Sequence, residues 1–200
     1  MAIAYLHACY AEEMHDLGLA IFKDIPSADI QMLEQMIQKK LNTPLISSAG
    51  RLFDAVSALM GLNYRASYQA EAPMLLESLA DRSVRESYSY EILTKSVSFK
   101  AMIKEMVADL SKKKSKGYIS AKFHNTLANL ALELALQVRN EYQLKRVVLT
   151  GGTFQNRILT EKLISLLSAE SFDVFLPKNI PANDQGIALG QLAIGAAVYT

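Results

Sequence analysis

The sequence has one cysteine, Cys9, no tryptophan and only five prolines in 200 residues. A single cysteine excludes an intrachain disulfide, and its simplest reading is a reducing compartment. Excess charge is missing too: 21 basic against 20 acidic residues leave a formal +1. No global field therefore draws the chain to nucleic acid or to acidic lipid. There is no long apolar run. The small-residue stretch from Gly186 to Tyr199 is interrupted by Gln191 and falls short of the ~20 residues a membrane helix needs. The opening MAIAYLHACYAEEMHD holds acids and histidines where a signal peptide needs a basic start and an unbroken apolar centre. These absences predict a soluble, cytoplasmic protein. Half of the residues are apolar, enough to bury a core and to exclude intrinsic disorder. Length and the lack of any linker or repeat predict one domain over residues 1–200.

Helical spacing dominates the pattern. Ile30, Leu33, Met36, Ile37 and Leu41 predict a helix entered at Pro26-Ser27 and ended by Thr43-Pro44. SSAGRLFDAVSALMGL predicts a second, with Leu52, Val56, Leu59 and Met60 on one face and Gly61 after its last turn. Ala72 to Leu79 and Phe99 to Leu110 predict two more, the latter closed by Lys112, Lys113, Lys114 and Lys116. SYSYEILTKSVSF, between them, reads as a strand. From Ile119 to Val138 runs an apolar stripe of Phe123, Leu127, Leu130, Leu134 and Val138. Then RVVLTGG, a helix over Phe154 to Leu167 and a strand over Phe172 to Leu176 make a strand–helix–strand unit, which implies a parallel pair. It is expected to share one sheet with the strand near Tyr88 to Val97, with Leu127, Leu130 and Leu134 packed on it. A last helix of small residues starts near Asp184, its Gly186, Gly190, Ala193 and Ala197 suggesting close packing on a sheet. The fold class is α/β and helix-rich.

Candidate chemistry gathers at the carboxyl end of the first parallel strand, where open α/β sheets bind ligands. Gly151-Gly152 is either a tight turn or a place where backbone N–H groups approach a phosphate. Asn156 is either a first-turn cap or a ligand contact, and Asp184 either a helix cap or a hard-oxygen metal ligand. Asp54, one turn into its helix, is either an exposed helix acid or a partner for a sugar hydroxyl. His7, His15, His124 and Cys9 read as structural. No Ser-His-Asp set, CxxC pair or HExxH motif occurs.

Three blocks, SSAGRLFDAVSALMGL, AKFHNTLANLALELA and VVLTGGTFQNRILTEKLISLL…VFLPKNIPANDQGIALGQ, resemble the C-terminal end of the HypF carbamoyltransferases of [NiFe]-hydrogenase maturation. More distantly they resemble the tRNA threonylcarbamoyladenosine transferases. The resemblance implies the C-terminal lobe of an ASKHA (actin-like ATPase, ribonuclease H-like) domain. It implies carbamoyl transfer from carbamoyl-adenylate to the C-terminal cysteine of a HypE-like acceptor. By the same resemblance Asp54, Gly151, Gly152 and Asn156 contact ATP or carbamoyl-adenylate. Asp184 would be one ligand of a divalent zinc or iron shared with the first lobe, whose histidine motif is not found in this sequence. Where HypF proteins commonly read YEGQAA, this chain reads YQAEAP from Tyr68. The implied partners are the acceptor protein and the N-terminal HypF modules, with homodimerisation possible and neither nucleic acid nor membrane involved. A non-catalytic docking lobe and a tRNA-modifying relative are the alternatives.

Overall fold

The computed structural model describes residues 1–199, and the chain forms two compact units, Met1–Thr126 and Leu127–Thr200. Their boundary lies inside one continuous helix, so no change of composition marks it in the sequence.

The first unit is helical. It begins with α1 (Ala2–Tyr10), a 3-10 turn over Ala11–Leu17, α2 (Ile21–Asp24) and α3 (Ser27–Gln38). It continues with α4 (Ala49–Leu59), α5 (Glu71–Leu79), α6 (Lys100–Ser111) and the start of α7 (Lys116–Tyr142). The first forty residues thus hold more helix than the periodicity suggests. The expected helix over Ile30 to Leu41 stops at Gln38 rather than at Thr43-Pro44. Lys40 takes a left-handed φ of 53°, so its N–H bonds the Ile37 carbonyl while the Leu41 N–H bonds that of Met36. This paired closure satisfies carbonyls that the helix end would otherwise orphan. The same closure ends α4 at Gly61 and α6 at Lys113.

The core of this unit is made by Leu6, Met14, Ile21, Phe53, Leu59, Leu76, Met102, Ile103, Met106, Ile119 and Phe123. Each such side chain contributes about 1.5–3 kcal/mol by leaving water. α1 packs against α3, α4 and α6, and α4 against α5. Phe53 meets Phe123 edge-on at 4.9 Å between ring centroids, and His124 completes the cluster. His124 is fully buried, with Nδ1 2.8 Å from the Ser120 carbonyl, a structural role as its isolation in the sequence suggested.

The segment expected as one strand is instead a hairpin, β1 (Glu91–Ile92) antiparallel to β2 (Val97–Ser98). The chain reverses at Thr94-Lys95, where the Leu93 N–H bonds the Ser96 carbonyl. Upstream, side chains of α7 replace sheet bonding. Thr126 accepts the Tyr88 N–H, and Asn125 donates to the carbonyls of Val84 and Glu86. Tyr88 and Lys122 both lie against Asp109, and the Lys122 ammonium stands 4.0 Å from the Tyr88 ring centre.

The second unit holds the rest of α7, β3 (Arg146–Val148), α8 (Arg157–Ala169), β4 (Asp173–Phe175) and α9 (Ile187–Tyr199). β3 and β4 pair in parallel with α8 between them, as the strand–helix–strand pattern requires. They form a sheet separate from β1–β2, which corrects the expectation of one shared sheet. Leu149, Leu163, Leu167 and Phe172 are the core, with Val147 and Val174 on the inner sheet face. α7 meets this core through Ala131, Leu132, Ala135 and Leu136. The expected stripe therefore breaks: Phe123, Leu127 and Leu130 are buried, whereas Leu134 and Val138 are exposed. α9 corrects the reading as well. Ile187, Leu189, Leu192, Ile194 and Val198 are exposed, so it does not lie packed on a sheet. No helix among the described residues is long and apolar enough to cross a membrane.

Candidate functional site

β3 runs through Leu149 and Thr150 into Gly151, whose φ of 103° and ψ of 157° suit a residue without Cβ. The Gly151 N–H donates to the Ala182 carbonyl at 2.7 Å. One bond thereby ties the strand-end turn to the PANDQG segment, 31 residues on in the chain. The Gly151 N–H is thereby used within the fold. A Cβ on either Gly151 or Gly152 would meet nothing within 4 Å, so the ground above the turn is open. The Gly151 carbonyl accepts the Phe154 N–H, opening a 3-10 turn over Gly152–Gln155.

Asn156 ends that turn and starts α8. Its Oδ1 accepts the Leu159 N–H at 2.9 Å, and the residue is buried. It is the helix cap that the sequence offered as one of two readings. Thr160, unremarked in the sequence, donates its hydroxyl to the Phe154 carbonyl and fastens the turn onto the first turn of α8.

Asp184 opens a 3-10 turn over Asp184–Gly186 and is exposed. It is not the cap, because Asn183 Oδ1 accepts the Gln185 N–H at 3.1 Å. An asparagine side chain bonding the backbone two residues on is ordinary turn chemistry, and that spacing was the signal for Asn183. The Asp184 carboxylate is left facing outward, two residues from the carbonyl that holds the Gly151 turn. Gly151, Gly152, Asn156 and Asp184 thus belong to one set of turns in the second unit. Asp54 belongs to the first unit. It is half-buried on α4, one turn after Arg51, beyond an N-cap at Ser48 whose Oγ accepts the Arg51 N–H.

A metal needs more ligands than the described residues bring together. Among the described residues no group of three His, Cys, Asp or Glu side chains could hold an ion. One outward carboxylate is one ligand, against the three or four protein ligands usual for zinc. The residues present do not fit a resident metal on their own. Cys9 is a poor nucleophile, since burial pushes its thiol pKa up despite nearby Lys104 and Lys100.

A family model described as the carbamoyltransferase Kae1-like domain, second subdomain, matches residues 1–191. The chain is 27% identical over 192 residues to a probable carbamoyltransferase HypF of Methanocaldococcus jannaschii, covering 96% of this chain and 25% of the relative. It is 33% identical over 188 residues to the carbamoyltransferase HypF of Rhodobacter capsulatus, covering 94% and 24%. The crystal structure of a full-length HypF in its phosphate- and nucleotide-bound form superposes with a TM-score of 0.89 at 35% identity, over 98% of this chain and 26% of that one. A tRNA N6-adenosine threonylcarbamoyltransferase of Ehrlichia canis is a distant relative at 24% identity. The chain spans about a quarter of the length of these two HypF relatives. It belongs to the HypF carbamoyltransferase family and corresponds to that family's Kae1-like second subdomain.

Proposed function

We propose that this chain is the nucleotide-side lobe of a carbamoyltransferase acting on the C-terminal cysteine of a HypE-like protein. The observation that carries the reading is the Gly151 to Ala182 bond. It gathers an open glycine turn, a helix start and an exposed carboxylate at the carboxyl end of a parallel strand. There, helix-start donors favour the anionic part of a nucleotide. The same constellation lies in a chain that matches a nucleotide-bound HypF over nearly its whole length.

In the transfer, the acceptor's thiolate sulfur attacks the carbamoyl carbon of carbamoyl-adenylate. The S–C bond forms, the C–O bond to the phosphate breaks, AMP leaves and the thiol proton has passed to solvent. The lobe's part is to hold the adenylate end still, since fixed orientation can lower a barrier by several kcal/mol. No side chain of this chain is assigned as acid or base, and no step is routed through a metal. Asp184 can add one oxygen ligand if the complementary lobe brings the others.

The complementary HypF modules are the first partners, and the acceptor protein docks on the assembled pair. A second reading, a docking lobe without catalytic function, draws on the exposed apolar side chains of α9. Reconstitution separates the two. The chain is mixed with a HypF fragment carrying the remaining modules, ATP, carbamoyl phosphate and a HypE-like acceptor. Mass spectrometry then follows the acceptor's terminal cysteine. Carbamoylation that requires this chain and falls with Asp184→Asn supports the transferase lobe. Carbamoylation indifferent to Asp184→Asn and Asn156→Ser supports the docking lobe.

A further inference from the structure

Three glycines follow Gly152 in the last forty residues, at 186, 190 and 195, and space treats them differently. A Cβ on Gly190 or Gly195 would meet nothing within 4 Å. A Cβ on Gly186 would stand 2.7 Å from the Pro181 carbonyl oxygen and 3.0 Å from Ile180 Cγ2. The first of these neighbours is backbone, so it cannot swing aside as a side-chain tip does. The residue after it, Ala182, carries the carbonyl that accepts the Gly151 N–H. The 3-10 turn ending at Gly186 is further fixed by its own N–H bonding the Asn183 carbonyl at 3.0 Å and by the Asn183 side chain.

We propose that Gly186 is a positioning residue for the candidate nucleotide site. By letting the turn close onto Pro181, it sets where the Ala182 carbonyl stands. That carbonyl in turn fixes the Gly151–Gly152 turn and its spacing from Asp184. Any side chain at 186 lifts Pro181, lengthens the Ala182 to Gly151 bond and lets the glycine turn drift. The glycine is thus required by a contact five residues back rather than by helix packing. The inference rests on the nucleotide-lobe reading only for its functional consequence; the mechanical coupling stands apart from it.

The test uses the full chain and compares Gly186→Ala with Gly190→Ala, reading amide exchange at Gly151 and ATP affinity by calorimetry. Gly186→Ala is expected to speed exchange of the Gly151 amide by about ten-fold while the amides of Leu163 and Leu167 keep their protection. Its ATP affinity is expected to fall by about ten-fold. Gly190→Ala is expected to change neither. Unchanged Gly151 exchange in Gly186→Ala overturns the proposal. Faster Gly151 exchange with unaltered ATP affinity keeps the mechanical coupling but overturns the positioning role. No ATP binding by the unaltered chain counts against the nucleotide-lobe reading, and the exchange result then decides the coupling alone. Should Gly186→Ala lose its core protection, Asn183→Ala carries the test. It removes a turn-fixing acceptor without adding bulk, so about three-fold faster Gly151 exchange is expected, and unchanged exchange overturns the proposal.

Discussion

The two units handle apolar surface in opposite ways. In the first, large apolar side chains from α1, α4, α5, α6 and α7 are buried together, and the polar groups brought inside with them are mostly satisfied. In the second, one side of a two-stranded parallel sheet covers a small core. The other side shows Val148 and Phe175, directly paired across the strands and 62% and 50% exposed. α9 adds Leu192 and Val198 at 70% and 68%. Parallel sheets normally have both faces covered, and bare apolar patches mark interaction sites. The contrast teaches that the unit holding the candidate site is also the one that leaves part of its apolar surface bare.

The sharpest way to break this comparison is to truncate one aromatic in each unit. Phe53→Ala removes a buried ring from the Phe123 and His124 cluster and is expected to cost about 3–5 kcal/mol in urea unfolding. Phe175→Ser is expected to change stability by about 0.5 kcal/mol or less, as for an ordinary surface change. Equal losses in the two variants would abolish the contrast.

Alkaline pH is the next lever, because the large tyrosine shifts lie in the closed unit. Burial pushes the Tyr88 phenol pKa well up, helped by the Asp109 charge, the hydrogen bond to Asp109, and Tyr118 and Glu105. The folded chain therefore holds this proton more tightly than the unfolded chain, whose tyrosines ionise near 10. Stability is fully present below that pH and declines as pH rises above it. Tyr64, pushed up to about 12 by burial and its bond to Asp24, adds to the same decline between those two values. Urea midpoints measured from about pH 8 to 11 should fall more steeply in the parent than in Tyr88→Phe. Parallel slopes would remove Tyr88 from the account.

Smaller effects sharpen the picture from the other side. Ser57 Oγ is buried on α4 with no hydrogen-bond partner, so Ser57→Ala should stabilise the first unit by about 1 kcal/mol. Lys113 closes α6 at a left-handed φ of 54°, where Lys113→Gly should gain about 0.5–1 kcal/mol by removing the Cβ penalty. A loss of stability in either, measured by thermal unfolding, would contradict the geometry assigned to that residue.

Such left-handed positions also bear on what could be read in advance. Helix existence was legible wherever apolar residues recurred at helical spacing, and so was the stop at Gly61, because glycine announces a left-handed residue. The stop at Gln38 was not, since Lys40 takes the same conformation without the signal, whereas the ends of the helices at Ser111 and Ala169 lie within two residues of where the pattern stops. The parallel pair was legible from its strand–helix–strand order. The hairpin at β1 and β2 was not, for its strands are two residues each and tertiary contacts hold its approach. At the site, Gly151, Gly152, Asn156 and Asp184 stood out as residues. The bond joining the first of them to Ala182 spans 31 positions, and no local pattern encodes it. Gly186 carried a visible glycine, but its need comes from the Pro181 carbonyl, which only the folded turn brings near.

The central claim is that the open turn at Gly151–Gly152 receives a nucleotide. Calorimetric titration of the purified chain with ATP tests it most directly, alongside Asn156→Ser, which keeps a helix-capping oxygen while removing the amide. The account predicts weak but saturable binding by the parent chain. It also predicts a clear loss of affinity in Asn156→Ser with no matching loss of thermal stability. Absence of any heat of binding, or affinity that Asn156→Ser leaves untouched, would contradict it.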